Sequence, residues 1–575
     1  MNLLEALQIV SRARKEPGKP FRLSLACGFT PLHLETFLAA HMASRAPVTA
    51  VTVSHGIYGD LAGNLERSKP SDMDAAAVII EWADLDARLG ARSSGGWDPS
   101  RLTDIIQCVR MQLQRIGDGL RVLAPQPVVV SLPTLPLPPV PYARPAQLSA
   151  FEAELRSELA SLAVSLAAHS HVRVLSAQEI DQRSPLNRRQ DLKSELDSGF
   201  PYSLGHADQM ARLLAGFLRP PDRKKGLISD LDDTVWNGIL GEIGPSQVSW
   251  SLEGHAQVHG LYQQLLASLA ASGTLVGVAT KNDPALVEEA FARRDILLPP
   301  ERVFPIEAHW GPKSESIGRI LKAWNIGADA VLFVDDSPME LAEVQAAFPA
   351  IECLLFSKDD PEAVWDLLYR LRERFGVAQL QIEDSLRAES LRSRAQFEAE
   401  IQDGPSGIDT FLEHADAEIT FSYSKNAPAR AFELLNKTNQ FNLNGERVSE
   451  SEWNSVLASE NRFVLQVAYK DRFGSLGTIA VMVGTCKAGS ITIDHWVMSC
   501  RAFSRRVEHR CLAWVFDHFN ADEVDLRFVS TPRNGPLQEF LAIFLGPPPW
   551  QSYRIPRVLF QEKCPILYHS LLEIA

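Results

Sequence analysis

Short apolar runs alternate with longer helix-like segments along the first two thirds of this chain. Phe21–Ala26, Val48–Val53, Ala76–Trp82, Gln126–Ser131 and Val172–Leu175 have the continuous apolar character of strands buried on both faces. Between them, Leu32–Ala43, Arg101–Gly117 and Leu148–Ala168 predict helices. That alternation predicts a parallel sheet with helices on both sides. The proline-rich run Leu132–Pro145 interrupts it. It reads as an extended loop inside the domain, because strand and helix patterns resume beyond it.

The alternation continues from about 222 to 378. A strand at Gly226–Ser229 precedes a helix over His255–Ala271, with Leu261, Leu265, Leu266 and Leu269 at helical spacing. Gly273 suits the position after that helix, and the strand Thr274–Thr280 follows. Asp283-Pro284 has the residues of an N-cap and a first helical position. Another strand is predicted at Ala330–Val334, and Leu371–Glu400 reads as a helical connection. Beyond the break at Gly404-Pro405-Ser406-Gly407 come strands at Phe463–Tyr469, Thr478–Gly484 and Ile491–Ser499 and a helix over Arg505–Phe519. The expected organisation is an α/β protein of three domains, 1–221, 222–378 and 404–575, with a helical connector over 379–403.

Composition narrows this picture without changing it. With 575 residues the chain is too long for a single core. Its net charge of −14 argues against a general nucleic-acid binder. Seven cysteines without metal-ligand or disulfide-framework spacing fit a reducing, cytoplasmic setting. No apolar run is long enough to span a bilayer.

Candidate chemistry is concentrated at strand ends. Gly226–Ser229 runs into Asp230-Leu231-Asp232-Asp233-Thr234; a second strand ends at Thr280, followed by Lys281-Asn282-Asp283. Lys313 lies in His309-Trp310-Gly311-Pro312-Lys313, and a further strand ends in Asp335-Asp336. In a parallel sheet, ligands bind beyond the carboxyl ends of the strands. Two carboxylates there suit a hard cation, nucleophilic attack on phosphorus and proton transfer, while a hydroxyl and a lysine suit phosphate oxygens.

The order and spacing of these four sites resemble the haloacid dehalogenase superfamily. GLISDLDDTVWNGILGEIG, ATKND, HWGPKSESI and FVDDSP resemble its FkbH-like branch. Asp233, Asn237 and Ser337 stand where that branch commonly has Asn, Gly and Asn. The resemblance implies a Rossmann-like domain with Asp230 as nucleophile, Asp232 as general acid/base and Thr280 and Lys313 as phosphate anchors. Lys281 and Asn282 join the substrate-binding set. It also implies Mg²⁺ held by Asp230, the backbone carbonyl of Asp232, and Asp335 or Asp336, with a helix N-cap as the other reading of Asp336. The glycine-punctuated Trp236–Gly244 would be a flap over the site, with Gly238, Gly241 and Gly244 permitting its turns.

Both flanking regions carry further resemblances. Residues 1–221 are loosely similar to SGNH-hydrolase-like domains, but Ala26-Cys27-Gly28-Phe29-Thr30 replaces the nucleophilic serine motif. Tyr202-Ser203-Leu204-Gly205-His206 offers no Asp-x-x-His pair. A degenerate domain that binds a ligand or partner is expected, with Cys27 and His206 structural and a catalytic role as the other reading of each. Residues 404–575 resemble GNAT-type acyltransferases. Lys437–Leu443, Tyr469–Gly474 and Trp496–Arg501 look like FkbH-like signatures. FkbH-like proteins are implied to take a glyceryl unit from 1,3-bisphosphoglycerate, remove phosphate and load an acyl carrier protein thiol. Cys500 then stands as a transient acyl carrier or as a buried small hydrophobe, and Arg501 would favour its thiolate and bind substrate. Arg501, Arg505, Arg506 and Arg510 would dock a phosphopantetheine phosphate or an acidic carrier, or form a solvated helix face. The alternatives are a phosphatase acting on a sugar phosphate or other metabolite, and a non-catalytic biosynthetic scaffold.

Overall fold

The computed structural model describes the chain apart from residues 17–19, 46–49, 95, 141–143, 145, 221–222, 377–408, 410–411, 424–428, 439, 473, 488–489, 500–501, 504, 551 and 575. The chain is α/β and forms two compact units, Met1–Pro221 and Asp222–Ala575. The connector expected over 379–403 lies outside the described residues.

In the first unit, β1 (Phe21–Ala26), β2 (Val51–His55), β3 (Ala75–Ile79), β4 (Val128–Ser131) and β5 (Val172–Val174) form a sheet in the order β2-β1-β3-β4-β5. Every pairing is parallel, from Leu25 opposite His55 to Val130 opposite Val174. β3 and β4 are buried at every residue, as strands covered on both faces must be. One core packs Leu34, Phe37 and Leu38 of the helix Leu32–Ala43 on one side. The other packs Ile105, Val109 and Ile116 of the helix Leu102–Val122 on the opposite side.

The second unit repeats the design with β6 (Gly226–Ser229), β7 (Leu275–Thr280), β8 (Ile306–Ala308), β9 (Val331–Asp335) and β10 (Glu352–Leu355). Their order is β10-β9-β6-β7-β8, again wholly parallel. Gly226 and Gly277 sit under Trp324, whose indole would lie 2.4 Å and 2.8 Å from a Cβ at either position. A glycine in these strands therefore marks close packing, not a turn. Asp283 caps the helix Pro284–Phe291 by accepting from Ala285 N, and Gly273 takes a left-handed φ of +84° after the helix Gln257–Ala271.

The remaining strands are β11 (Glu418–Tyr423), β12 (Arg462–Asp471), β13 (Gly474–Lys487), β14 (Ser490–Met498), β15 (Glu523–Leu526), β16 (Arg554–Pro556) and β17 (Ser570–Ile574). They form a mixed sheet in the order β16-β15-β14-β13-β12-β11-β17, antiparallel from β11 to β14 and parallel at β14–β15 and β11–β17. Among the described residues no helix is long and apolar enough to cross a membrane.

Candidate active site

In the second unit, β6 has β7 on one side and β9 on the other. The chain thus leaves β6 in opposite directions, and a crevice opens beyond its carboxyl end. Asp230 is the first residue past β6, while Thr280 and Asp335 end the two neighbouring strands. Three sequence-distant groups meet there because of strand order alone. Lys313, the first residue of the helix Lys313–Trp324, completes the set. Its Nζ lies 3.0 Å from Asp230 Oδ1 and 2.5 Å from Asp335 Oδ2.

All four side chains are buried: Asp230, Thr280, Lys313 and Asp335. Burial pushes the Asp230 carboxyl above its ordinary range, although Lys313 opposes this. Burial and the nearby Asp230 charge push Asp335 up to about 7. Lys313 is raised, since the two carboxylates outweigh the effect of its own burial. The site therefore holds a charged lysine between carboxyl groups that resist carrying charge together.

One oxygen each from Asp230, Asp335 and Asp336 lies within 4.8 Å of the others. Hard oxygen donors of this kind, clustered at a strand-end crevice, fit Mg²⁺. The N-cap reading of Asp336 fails. Ser337 caps the helix Pro338–Ala347, and Asp336 stays with the acidic cluster, 3.6 Å from Lys358 Nζ.

The Asp232 carboxylate stands apart from this cluster. Oδ1 accepts from Trp236 Nε1 at 2.9 Å and from Leu240 N at 3.2 Å, and Oδ2 accepts from Asn282 Nδ2 at 3.0 Å. Burial raises its pKa against these donors. Asn282 also donates to Thr280 Oγ1 at 2.9 Å, leaving the threonine hydroxyl hydrogen for another acceptor. Lys281 pairs with Glu340 at 2.7 Å. The expected flap is anchored in the core by Trp236 and Leu240, while Asn237, Ile239 and Gly241–Ile243 are exposed, and Gly241 lies within the short helix Leu240–Ile243. Only Gly238 and Gly244 adopt left-handed φ, of +108° and +84°. The segment closes on Asp232, because the indole N–H and the Leu240 amide both need an acceptor.

Sequence reading missed Lys358 and the role of Asp233. Asp233, at φ +51°, accepts from Gly238 N at 2.8 Å and pairs closely with Lys358. Lys358 thereby ties the loop after β10 to the segment after β6. Nothing in Ser357-Lys358-Asp359 marked it in the sequence.

In the C-terminal sheet, Cys500 and Arg501 lie outside the described residues, as do Asn439 and Phe473 of the signature segments. The Lys437–Leu443 segment lies along β14, with Met498 N donating to Phe441 O and Leu443 N donating to Trp496 O, both at 3.0 Å. Of the expected arginine dock, Arg505, Arg506 and Arg510 are engaged within the fold. Arg505 is buried, 3.2 Å from Asp471 and over the Tyr469 ring. Arg506 pairs with Asp409 and donates to Ile566 O, and Arg510 donates to Leu567 O and His569 O. These contacts hold Arg506 and Arg510 on carbonyls of the C-terminal segment. His509 is buried against Phe540 and Phe544, and burial lowers the pKa of His495.

Ser499, beside Cys500, lines a cleft of about 370 Å³ with Lys225, Leu275, Ala330 and Lys437. Lys225, Leu275 and Ala330 mark the amino ends of β6, β7 and β9, the opposite end of these strands from Asp230. The four residues of β6 alone span about 13 Å.

No family model matches the chain, nor does any curated protein. Among solved structures, it is similar to the N-terminal part of the protein BF1531 from Bacteroides fragilis, described as containing a phosphatase domain complexed with Mg. That likeness has 18% identity and a TM-score of 0.50, and covers 65% of this chain and 99% of that one. At this identity it speaks for the fold alone. An uncharacterized protein from Corynebacterium glutamicum has 19% identity over 25% of this chain and 93% of its own, with a TM-score of 0.18. The salicylyl-acyltransferase SsfX3 of a tetracycline biosynthetic pathway has 15% identity over 35% and 55%, with a TM-score of 0.21. Both scores are too low to bear on this fold.

Proposed function

We propose that the second unit is a Mg²⁺-dependent phosphatase of the haloacid dehalogenase type. The observation that carries this reading is the convergence of Asp230, Thr280, Lys313 and Asp335 at the β6 switch point, with Asp232 held separately beside them. The phosphatase domain and Mg of the BF1531 structure agree with it. Asp230 would attack phosphorus and form an acyl phosphate on its own carboxylate. Lys313 and the Thr280 hydroxyl would hold phosphate oxygens. Asp232, whose pKa burial raises, would give a proton to the leaving oxygen and then take one from the attacking water. Asp230, Asp335 and Asp336 would hold Mg²⁺, which supplies charge neutralisation for the transferring group.

The finer reading adds a glyceryl unit from 1,3-bisphosphoglycerate, loaded on an acyl carrier protein thiol. FkbH-like wording around Asp230 and through the C-terminal region supports it.

The test is turnover of p-nitrophenyl phosphate by the full chain with Mg²⁺. Activity abolished by EDTA, restored by Mg²⁺ and absent in Asp230→Asn is the expected result; inertness of the wild-type chain toward every phosphorylated compound tried would leave the scaffold reading. Intact mass of a carrier protein incubated with the chain, 1,3-bisphosphoglycerate and Mg²⁺ checks the finer step. Turnover of free sugar phosphates that survives Cys500→Ala, without carrier loading, would favour the metabolite phosphatase.

A further inference from the structure

The first unit has a switch point of its own. Beyond β1, β3 and β4 lies a cavity of about 740 Å³ whose lining includes Gly28, Glu81, Asp84 and Leu135. Its size falls within the range of small-molecule sites. It holds no hydrolytic pair. His206 is buried, bonded through Nε2 to Thr134 Oγ1 and through Nδ1 to Ser184 Oγ, both at 2.9 Å. Cys27 is buried with its Sγ on Phe29 O at 3.2 Å. Neither residue lines the cavity.

What the lining offers is negative charge and aromatic surface. Among the described residues Glu81, Asp84 and Glu195 face it against one cation, Arg92. Glu81 meets donors, Thr134 Oγ1 and Tyr202 OH at 2.6 Å and the amides of Thr134 and Leu135, but burial outweighs them and raises its pKa. Asp84 is different. Its Oδ2 accepts from Glu81 N at 2.8 Å, whereas Oδ1 has no donor among the described residues. Oδ1 rests against Gly28, where a Cβ would lie only 1.7 Å away, so a glycine is what lets this carboxyl reach the cavity floor. Phe29, Tyr58, Trp82 and Trp97 supply rings. Pro136, Pro138 and Pro139 form a wall that has carbonyl acceptors but no N–H from any of the three. Arg92 donates to Glu195 O at 2.5 Å and lies over the Tyr58 ring.

We propose that this cavity binds an organic amine with an aromatic or otherwise apolar body. The ammonium sits on Asp84 Oδ1, and the body lies along the proline wall and the tryptophans. Acidic groups and ring faces both favour a cation, and a donor-poor wall disfavours an anion. No bond is made or broken.

The experiment is calorimetric titration of the full chain at about pH 8, above the Asp84 midpoint of about 7, with three compounds of one ring and one length: tryptamine, tryptophol and indole-3-acetate. Tryptamine is expected to bind about tenfold or more tighter than tryptophol, the worth of one charged hydrogen bond, and indole-3-acetate weakest. Asp84→Asn keeps an oxygen for the Glu81 amide and is expected to erase the preference for tryptamine over tryptophol. Trp97→Ala, at a half-exposed position, is expected to weaken all three alike. Equal affinities, preference for indole-3-acetate, or no saturable tryptamine binding at millimolar concentration would overturn the proposal. Should Asp84→Asn fail to fold, the ranking on the wild-type chain decides it alone.

Discussion

The two parallel sheets solve the same topological problem and fill the result differently. Each has five strands and a reversal of strand order that opens a crevice at the carboxyl ends. In the second unit that crevice is dense with charge: a lysine bridges two buried carboxylates, and a third lies beside them. In the first unit the equivalent place is roomy, ring-lined and acidic, and its histidine and cysteine are turned inward. Strand order dictates where a site forms, while the residues just past each strand decide what it does. Asp230 follows β6 directly, whereas Cys27-Gly28 follows β1, with glycine making room for a carboxyl from elsewhere.

The contrast breaks most sharply at Asp230. Asp230→Asn is expected to lower kcat on p-nitrophenyl phosphate by on the order of 10⁶-fold, as loss of a nucleophile does elsewhere. It should leave tryptamine binding untouched; steady-state assay and titration of one preparation check both halves.

Next in size is the pH response of the first unit. Burial and the Glu81 charge push the Asp84 carboxyl up to about 7. In the unfolded chain it titrates near 4, so between about pH 4 and 7 the unfolded state releases a proton that the folded state keeps. Stability from this group is full below about pH 4 and falls as pH rises toward 7. The fall is at most about 4 kcal/mol, less where cavity water solvates Oδ1. Chemical denaturation of the wild-type chain and Asp84→Asn across this range should show the slope in the first and a flatter profile in the second.

Asp232→Asn removes a proton donor and is expected to cost about 10²-fold in kcat, or more for poor leaving groups. A rate loss that did not grow with leaving-group pKa would remove Asp232 from that role. The smallest effect belongs to Lys358→Met, which frees Asp233 and Asp336 without touching the nucleophile. KM for Mg²⁺ is expected to shift by a few-fold, in line with the modest worth of a partly exposed ion pair.

How much of this was legible depended on range. β1 and β6, and the helix Leu32–Ala43, matched their apolar patterns residue for residue, because burial on both faces leaves little freedom in a short strand. The four phosphoryl fragments could be read because each is a local string at a strand end. Long-range partners could not. Lys358 meets Asp233 across 125 positions, and Arg505 meets Asp471 across 34, with no local sign in either case. The arginine cluster misled for the same reason: helical spacing placed Arg506 and Arg510 on a shared face, but not the C-terminal carbonyls that claim them. Likewise the glycines of 236–244 announced turns, while the burial of Trp236 depended on a core the segment does not itself encode.

Trp236 couples two traits that evolution usually tunes apart. Its ring fills the core beside Phe291, and its single N–H holds the Asp232 carboxylate. A phenylalanine would fill much of the same space and silence that N–H; a histidine would offer a donor and hollow out the core. Each of these replacements therefore loses either the packing against Phe291 or the donor to Asp232, and only an indole supplies both at once.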